Sequence, residues 1–368
     1  MAEGPNPKEA VCVTGANGFI GSWLVRTLLE NGYTNIHASI YPGSDPTHLF
    51  SLPGANSPSV NLQVYEADIL DSSAVAKAVD GCQGVFHVAS PCSLEDPKDP
   101  DKELVRPAVQ GTLNVLEAAR AAKVRRVVIT SSISAIVPNP NWNPQTNGAF
   151  DETSWTDLEY CKSRQKWYPV SKTMAEKTAW EFAEKHGMDV VAINPATCLG
   201  PLLQPNLNAS CAVLLQLLEG SKDTQEYHWL GAVHVKDVAK AQILLFESPS
   251  ASGRYLCTNG IYQFGTFAET VSHLFPQYPV HSVHCPHVVL RAENQLLLVS
   301  GDLVDLANKP PVGGFTGDTQ PGLVSCKDAA KRLIELGLIF TPVEEAVRET
   351  VESLQAKGFL KQQQPSES

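Results

Sequence analysis

The chain has 368 residues, 43% hydrophobic and 18% charged, a profile that fits two globular domains or one large α/β domain with a lobe. Its 28 Lys and Arg against 39 Asp and Glu give a net charge of −11 with no basic stripe, so neither nucleic acid nor a membrane surface is expected as a partner. No run approaches the roughly 18 consecutive apolar residues that a spanning helix needs.

The first ten residues are polar, with Pro5, Pro7, Lys8 and Glu9, and lack the regions of a signal peptide. An apolar run at 10–13 predicts a first strand, and Ile20, Trp23, Leu24, Leu28 and Leu29 predict an amphipathic helix behind it. Further strands are predicted at 35–40, 62–65, 84–88, 126–129 and 190–193. Helices are predicted at 105–122, with Val105, Val109, Leu113 and Leu116 in register, and at 168–186, with Ala175, Ala179 and Phe182. This alternation implies a parallel sheet covered on both faces. The second half is less periodic: 202–218, 235–246 and 342–356 look helical, and 361–368 is polar. The nine cysteines are scattered without a CxxC pair, which predicts reduced thiols in a cytoplasmic protein, with no zinc site and no disulfides.

Val13-Thr14-Gly15-Ala16-Asn17-Gly18-Phe19-Ile20-Gly21 sets three glycines three apart, after a strand and at the opening of a helix. In that context the spacing points to a dinucleotide. Gly15 permits the turn, Gly18 lets the backbone approach a pyrophosphate, and Gly21 lets the helix pack on the strand. The helix start offers its free amides to phosphate. At the end of the second strand an acid would select a ribose hydroxyl and an Arg a 2′-phosphate. This chain has Tyr41 there, with Ser39, Ser44 and His48 able to meet a phosphate and Asp45 able to take hydroxyls. Both forms of the cofactor stay open on these residues. Asp68, with Ile69, follows the third strand and is either an adenine-edge contact or a helix cap.

Tyr168 and Lys172 stand four apart on a predicted helix and therefore share a face. A phenol is a poor acid at neutral pH, and a neighbouring ammonium favours its phenolate. The fifth strand ends in Thr130-Ser131-Ser132, where a hydroxyl can meet a carbonyl oxygen, and Asn114 on the preceding helix is a candidate proton relay. His87 is expected to be a satisfied core histidine, and His234 to support the fold beside Asp237 as a helix cap. His281, His284, His287 and Cys285 are spaced like metal ligands but lack a framework, so no metal is expected. Trp142 and Trp167 either line the pocket or pack.

Together, Thr14-Gly-x-x-Gly-x-x-Gly21, Val85-Phe-His-Val-Ala-Ser-Pro91, Gly111-Thr-x-Asn114, Thr130-Ser-Ser132 and Tyr168-x-x-x-Lys172 resemble the extended short-chain dehydrogenase/reductases. Asn194-Pro195, Asn208-Ala-Ser210, Val233-His-Val-Lys-Asp237, Gly253-Arg-Tyr-Leu-Cys257 and Thr319-Gln-Pro-Gly-Leu323 narrow the resemblance. They point to the plant cinnamoyl-CoA reductase and dihydroflavonol reductase group, which is also similar to phenylacetaldehyde reductases. The resemblance implies a Rossmann-type doubly wound parallel sheet with a smaller C-terminal substrate lobe. The expected division is a cofactor domain at 9–195, a lobe at 196–358 with elements returning to the sheet, and a disordered tail at 359–368. It implies a catalytic set of Ser132, Tyr168 and Lys172. It also implies cofactor contacts at Thr14, Gly15, Gly18, Phe19, Ile20, Gly21, Tyr41, Asp68, Ile69, Ala89, Ser90, Pro91, Tyr168, Lys172, Pro195, Ala196, Thr197 and Ser210.

Three departures shape the functional expectation. Cinnamoyl-CoA reductases carry Asn-Trp-Tyr-Cys-Tyr-Gly-Lys where this chain reads Lys166-Trp-Tyr-Pro-Val-Ser-Lys172. They place His and Lys on the helix after Asn-Ala-Ser, to meet CoA phosphates, where this chain has Val213 and Gln216. Tyr41 replaces the family's strand-two Arg. About 30 residues, 282–313, have no counterpart in the family and are either a surface insertion or translated intron sequence, the second being favoured. The expected enzyme is an NAD(P)H-dependent reductase of aromatic, phenylpropanoid-type aldehydes or ketones, with NADP preferred, NAD possible, and free carbonyls favoured over CoA thioesters. It is expected to be a monomer or weak dimer with a small aromatic carbonyl as its partner. A true cinnamoyl-CoA reductase, a nucleotide-sugar epimerase or dehydratase, and a non-catalytic cofactor-binding protein are the alternatives.

Overall fold

Residues 8–91, 97–223, 229–281 and 323–362 are described by the computed structural model. In chain order they form β1 (Val11–Thr14), α1 (Phe19–Glu30), β2 (Asn35–Ile40), α2 (Thr47–Phe50), β3 (Asn61–Glu66), α3 (Ser72–Val79) and β4 (Gly84–His87). A π-helical turn (Asp101–Val105) runs into α4 (Arg106–Ala121), followed by β5 (Arg126–Thr130), α5 (Pro144–Asn147), α6 (Leu158–Ser163), α7 (Trp167–His186) and β6 (Val190–Pro195). The remainder comprises β7 (Thr197–Leu199), α8 (Ala209–Leu218), β8 (Ala232–His234), α9 (Val235–Glu247), β9 (Gly253–Cys257), α10 (Phe264–Leu274), α11 (Lys331–Glu335) and α12 (Val343–Ala356).

Seven strands make one sheet in the order β3-β2-β1-β4-β5-β6-β9, and every pairing is parallel. The middle strands are buried on both faces, which is why 11–14, 84–87, 126–130 and 190–195 are almost uninterrupted by exposed residues. One face packs on α1 and α9, with Trp23, Leu24, Phe86 and Phe246 in its core; the other packs on α3, α4 and α7 through Val85, Leu116, Val127 and Phe182. Gly84 is required by this packing, because a Cβ there would lie 2.4 Å from the Phe246 ring. The chain moves outward from β1 to β3 and then returns to β4, so β1 and β4 flank a crevice at their C-terminal ends. The pair β7–β8 forms a second, two-stranded parallel sheet beyond it.

Three local expectations are corrected. The helix expected from 202 starts at Ala209, because Pro205 cannot supply a helical amide and 202–208 is loop. The cap of α9 is His234, whose ring accepts from Lys236 N at 3.0 Å. Asp237 is instead buried and accepts from Thr341 N at 2.6 Å, joining α9 to the segment before α12. Leu360, inside the stretch read as a tail, is buried and follows α12. The atypical segment 282–313 and residues 363–368 lie outside the described residues, as do His284, Cys285 and His287.

Candidate active site

At the glycine loop, each glycine answers a different demand. Gly15 has φ +65°, and a Cβ there would lie 2.9 Å from Ala89 Cα, so the turn must pass against the end of β4. A Cβ on Gly21 would lie 2.1 Å from Gly15 O, so α1 packs directly on the loop. A Cβ on Gly18 would meet only Gly15 O, at 3.3 Å, and would otherwise project into open space. Gly18 is the N-cap of α1, which has no side-chain cap and no acid in its first turn. The first amides of α1 therefore face the cleft unclaimed by a side chain, an environment made for an anion. A dinucleotide pyrophosphate fits this floor. Thr14, expected to touch the cofactor, does not line the cleft. It is buried behind the loop, where its Oγ1 accepts from Val88 N and Ala89 N, both at 3.1 Å, and bonds His87 Nδ1 at 2.9 Å.

Above this floor lies a recess of about 600 Å³ lined by Phe19, Ile20, Tyr41, Asp68, Ile69, Ala89, Ser90, Pro91, Tyr168, Lys172 and Ser210, with the three glycines. Tyr41 is 65% exposed at its outer end. Asp68 is not a helix cap: its carboxylate accepts from Leu70 N at 2.9 Å, while Asp71 caps α3. Lys172 is the one cationic residue among the described residues lining this recess. A second recess, of about 820 Å³, opens beside it and is lined by Leu104, Ser132, Ile133, Trp167, Val213 and, at its rim, Lys98, Arg164 and Lys166. Pro195, Ala196 and Thr197, expected at the cofactor, line this second recess instead. Ile20, Ser131, Tyr168, Cys198, Ala209 and Ser210 belong to both, so the two meet along these residues, Tyr168 among them.

Tyr168 lies in the first turn of α7, where Pro169 costs no hydrogen bond. Lys172 is 7% exposed; its ammonium donates to Thr130 O at 3.3 Å and lies 5.9 Å from the Tyr168 ring centre. Ser132 caps the short turn Ile133–Ala135, its Oγ accepting from Ser134 N at 3.1 Å. That bond uses an oxygen lone pair and leaves the hydroxyl proton for an acceptor in the second recess. The structure thus brings Ser132, Tyr168 and Lys172 to one place.

Other sequence candidates resolve into supports. His87 is buried between Thr14 and Thr112, whose Oγ1 lies 3.2 Å from Nε2. Burial, and then the Lys172 ammonium, push its pKa down from 6.5 to about 3, so the ring is neutral. The Asn114 amide donates to Ile69 O at 2.8 Å and its oxygen accepts from Gln110, so the candidate proton relay ties α4 to the wall of the first recess. Trp142 stacks on Phe150 rather than lining either recess. Burial pushes the Cys198 thiol up to about 12, which removes it as a nucleophile. Arg254, in the motif Gly253-Arg-Tyr-Leu-Cys257, is buried in an ion pair with Glu176. Among the described residues, no cluster of His, Cys, Asp or Glu is arranged to hold a metal, and no helix is long and apolar enough to cross a membrane.

A model of the NAD dependent epimerase/dehydratase family matches residues 11–259. The chain belongs to this family. Within it, the chain is similar to cinnamoyl-CoA reductase 1 of Petunia hybrida, 43% identical over 354 residues, covering 96% of this chain and 94% of that one. Among solved structures it is similar to vestitone reductase from alfalfa (TM-score 0.73, 31% identity, 96% of this chain and 100% of that one). It is also similar to yeast methylglyoxal/isovaleraldehyde reductase Gre2 complexed with NADPH (TM-score 0.69, 26% identity, 95% and 100%). This member of the family is an NAD(P)-dependent oxidoreductase, of the extended short-chain kind, with a Rossmann-type sheet and a small-molecule substrate.

Proposed function

We propose that the chain reduces an aromatic aldehyde or ketone to the alcohol, with Ser132, Tyr168 and Lys172 as its catalytic residues and NADPH as its cofactor. The observation that carries this reading is the junction of the two recesses at Tyr168. The glycine loop, Tyr41, Asp68–Ile69 and the Ala89–Pro91 segment would hold the cofactor, which when bound would supply the hydride for a carbonyl carbon. The Ser132 hydroxyl donates to the carbonyl oxygen and orients it. The Tyr168 phenol gives that oxygen its proton, and the Lys172 ammonium stabilises the phenolate left behind. Leu104, Ile133, Trp167 and Val213 give the second recess the apolar walls that suit an aromatic ring. NADPH in the Gre2 neighbour supports the phosphorylated cofactor; the lack of a cation beside Tyr41, among the described lining residues, makes the expected preference modest.

A free carbonyl is proposed over a CoA thioester, because α8 contributes Val213 rather than a cation and Arg254 is consumed in the core. The opposite reading, a cinnamoyl-CoA reductase proper, is favoured by the rim cations Lys98, Arg164 and Lys166. Paired kcat/KM values for coniferaldehyde and feruloyl-CoA separate the two, and a higher value for the thioester selects the second. For the chemistry itself, Tyr168→Phe is expected to lower turnover at least ~100-fold, a general-acid magnitude, while cofactor affinity stays within about threefold. Unchanged turnover contradicts the assignment.

A further inference from the structure

One buried carboxylate takes no part in the chemistry above, yet it lies on the helix that carries Tyr168 and Lys172 and bonds to the segment that carries Ser132. Glu176 lies one helical turn beyond Lys172 on α7 and is 1% exposed. Its Oε2 accepts from Ser131 Oγ at 2.5 Å and from Asn194 Nδ2, on β6, at 2.9 Å. Its Oε1 accepts from Arg254 Nε, on β9, at 2.6 Å and from Trp180 Nε1 at 3.3 Å. The same Asn194 amide donates to the Ser132 carbonyl at 3.1 Å. Arg254 is 8% exposed, with its guanidinium carbon 3.7 Å from the Trp155 ring centre. Its remaining donors reach the carbonyls of Glu152 at 2.7 Å, Ser154 at 2.6 Å and Ala135 at 3.1 Å.

The pattern has a direction. Ser131 is held by its side chain, Ser132 by its carbonyl, and Ala135 by its carbonyl, so segment 131–135 is gripped at both ends. The grip originates on α7, the helix that presents Tyr168 and Lys172. A buried ion pair is poor evidence for stability, since apolar side chains of similar volume commonly do as well. What hydrogen-bonded charges supply and apolar contacts do not is a fixed direction at each bond.

We propose that Glu176 is a positioning residue, which with Arg254 and Asn194 sets the Ser132 hydroxyl against the Tyr168 phenol. The inference rests on the reading that a carbonyl is reduced between those two groups. Both must reach one oxygen atom, and a misplacement near 1 Å is enough to cost about 100-fold in rate.

Two variants test it, with turnover counted per cofactor site by titration so that loss of folded protein is not mistaken for loss of rate. Glu176→Gln keeps the shape but puts a donor where an acceptor was needed; kcat is expected to fall at least ~10-fold, with cofactor Kd within about threefold. The pair Glu176→Met with Arg254→Met removes both charges at similar volume. It is expected to melt within a few degrees of the parent or above it, while kcat per site still falls at least ~10-fold. A kcat per site within twofold of the parent in either variant overturns the proposal. Tyr168→Phe serves as the reference: if it too leaves turnover intact, the reading of the site fails, and if it alone collapses turnover, only the role of Glu176 fails.

Discussion

The two recesses that meet at Tyr168 are built from different materials. The first is floored by main chain, where Gly15, Gly18 and Gly21 remove side chains from one short loop and α1 offers its amides. The second is walled by side chains from separate stretches, including Leu104, Ile133, Trp167, Thr197 and Val213. A main-chain site is specified by where a Cβ is missing, and a seven-residue motif is enough to write it. A side-chain site is specified by how distant segments pack, and no local pattern writes it.

The difference is sharpest at Gly18 and Gly21. Gly18→Val asks Gly15 O, 3.3 Å from the added Cβ, to give by a few tenths of an ångström, and adds bulk where Gly18 lines the first recess. It is expected to weaken cofactor binding ~100-fold by calorimetry, the cost of one or two displaced charge-assisted bonds, with little change in melting temperature. Gly21→Val, whose Cβ would lie 2.1 Å from Gly15 O, is expected to lower the melting temperature as well. Equal behaviour of the two variants would break the distinction between a floor that binds and a joint that packs.

Next in size is a pH effect from the support beneath that floor. His87 has a pKa of about 3 in the fold against 6.5 ordinarily, so between those values the unfolded chain binds a proton that the folded chain refuses. Its contribution is intact above pH 6.5 and is lost as pH falls, by about 2–3 kcal/mol at pH 4.5. Denaturant titrations at several pH values are expected to show this slope in the parent and a shallower one in His87→Gln. Equal slopes would mean that the ring is charged or exposed in the fold.

Smaller effects are expected at the outer ends of the two recesses. Tyr41→Arg places a cation where a 2′-phosphate would lie and is expected to raise the NADPH-to-NADH ratio of kcat/KM ~10-fold. Val213→Lys puts a cation on the α8 wall and is expected to raise kcat/KM for feruloyl-CoA about threefold, with coniferaldehyde unchanged. No gain at Val213 would show that the α8 wall does not face the CoA phosphates.

The same contrast explains what could be read in the sequence. Strands β1 to β6 follow apolar or alternating runs between helical periods, so the sheet and the glycine loop at its edge were legible. The three-residue strands β7 and β8 are too short for any period to register. β9 opens with Gly253 and Arg254, which hide a buried strand behind a charge. The helix read from 202 begins only at Ala209, after Pro205. Thr14 and Pro195 to Thr197 sit in motifs that cofactor contact would explain, yet the first supports the loop from behind and the others face the second recess. Nothing in the local sequence marks Glu176; its partner set comes from the convergence of Ser131, Asn194 and Arg254, which is tertiary.

In the proposed reaction the two recesses join so that a hydride reaches a carbonyl carbon and a proton reaches its oxygen. Reduction of coniferaldehyde with cofactor deuterated at the transferable position, followed by mass spectrometry of the alcohol, tests it most directly. One deuterium is expected on the former carbonyl carbon, formed in step with oxidation of the cofactor, with almost no product from Tyr168→Phe. An unlabelled alcohol, or labelled alcohol formed equally fast by Tyr168→Phe, would contradict it.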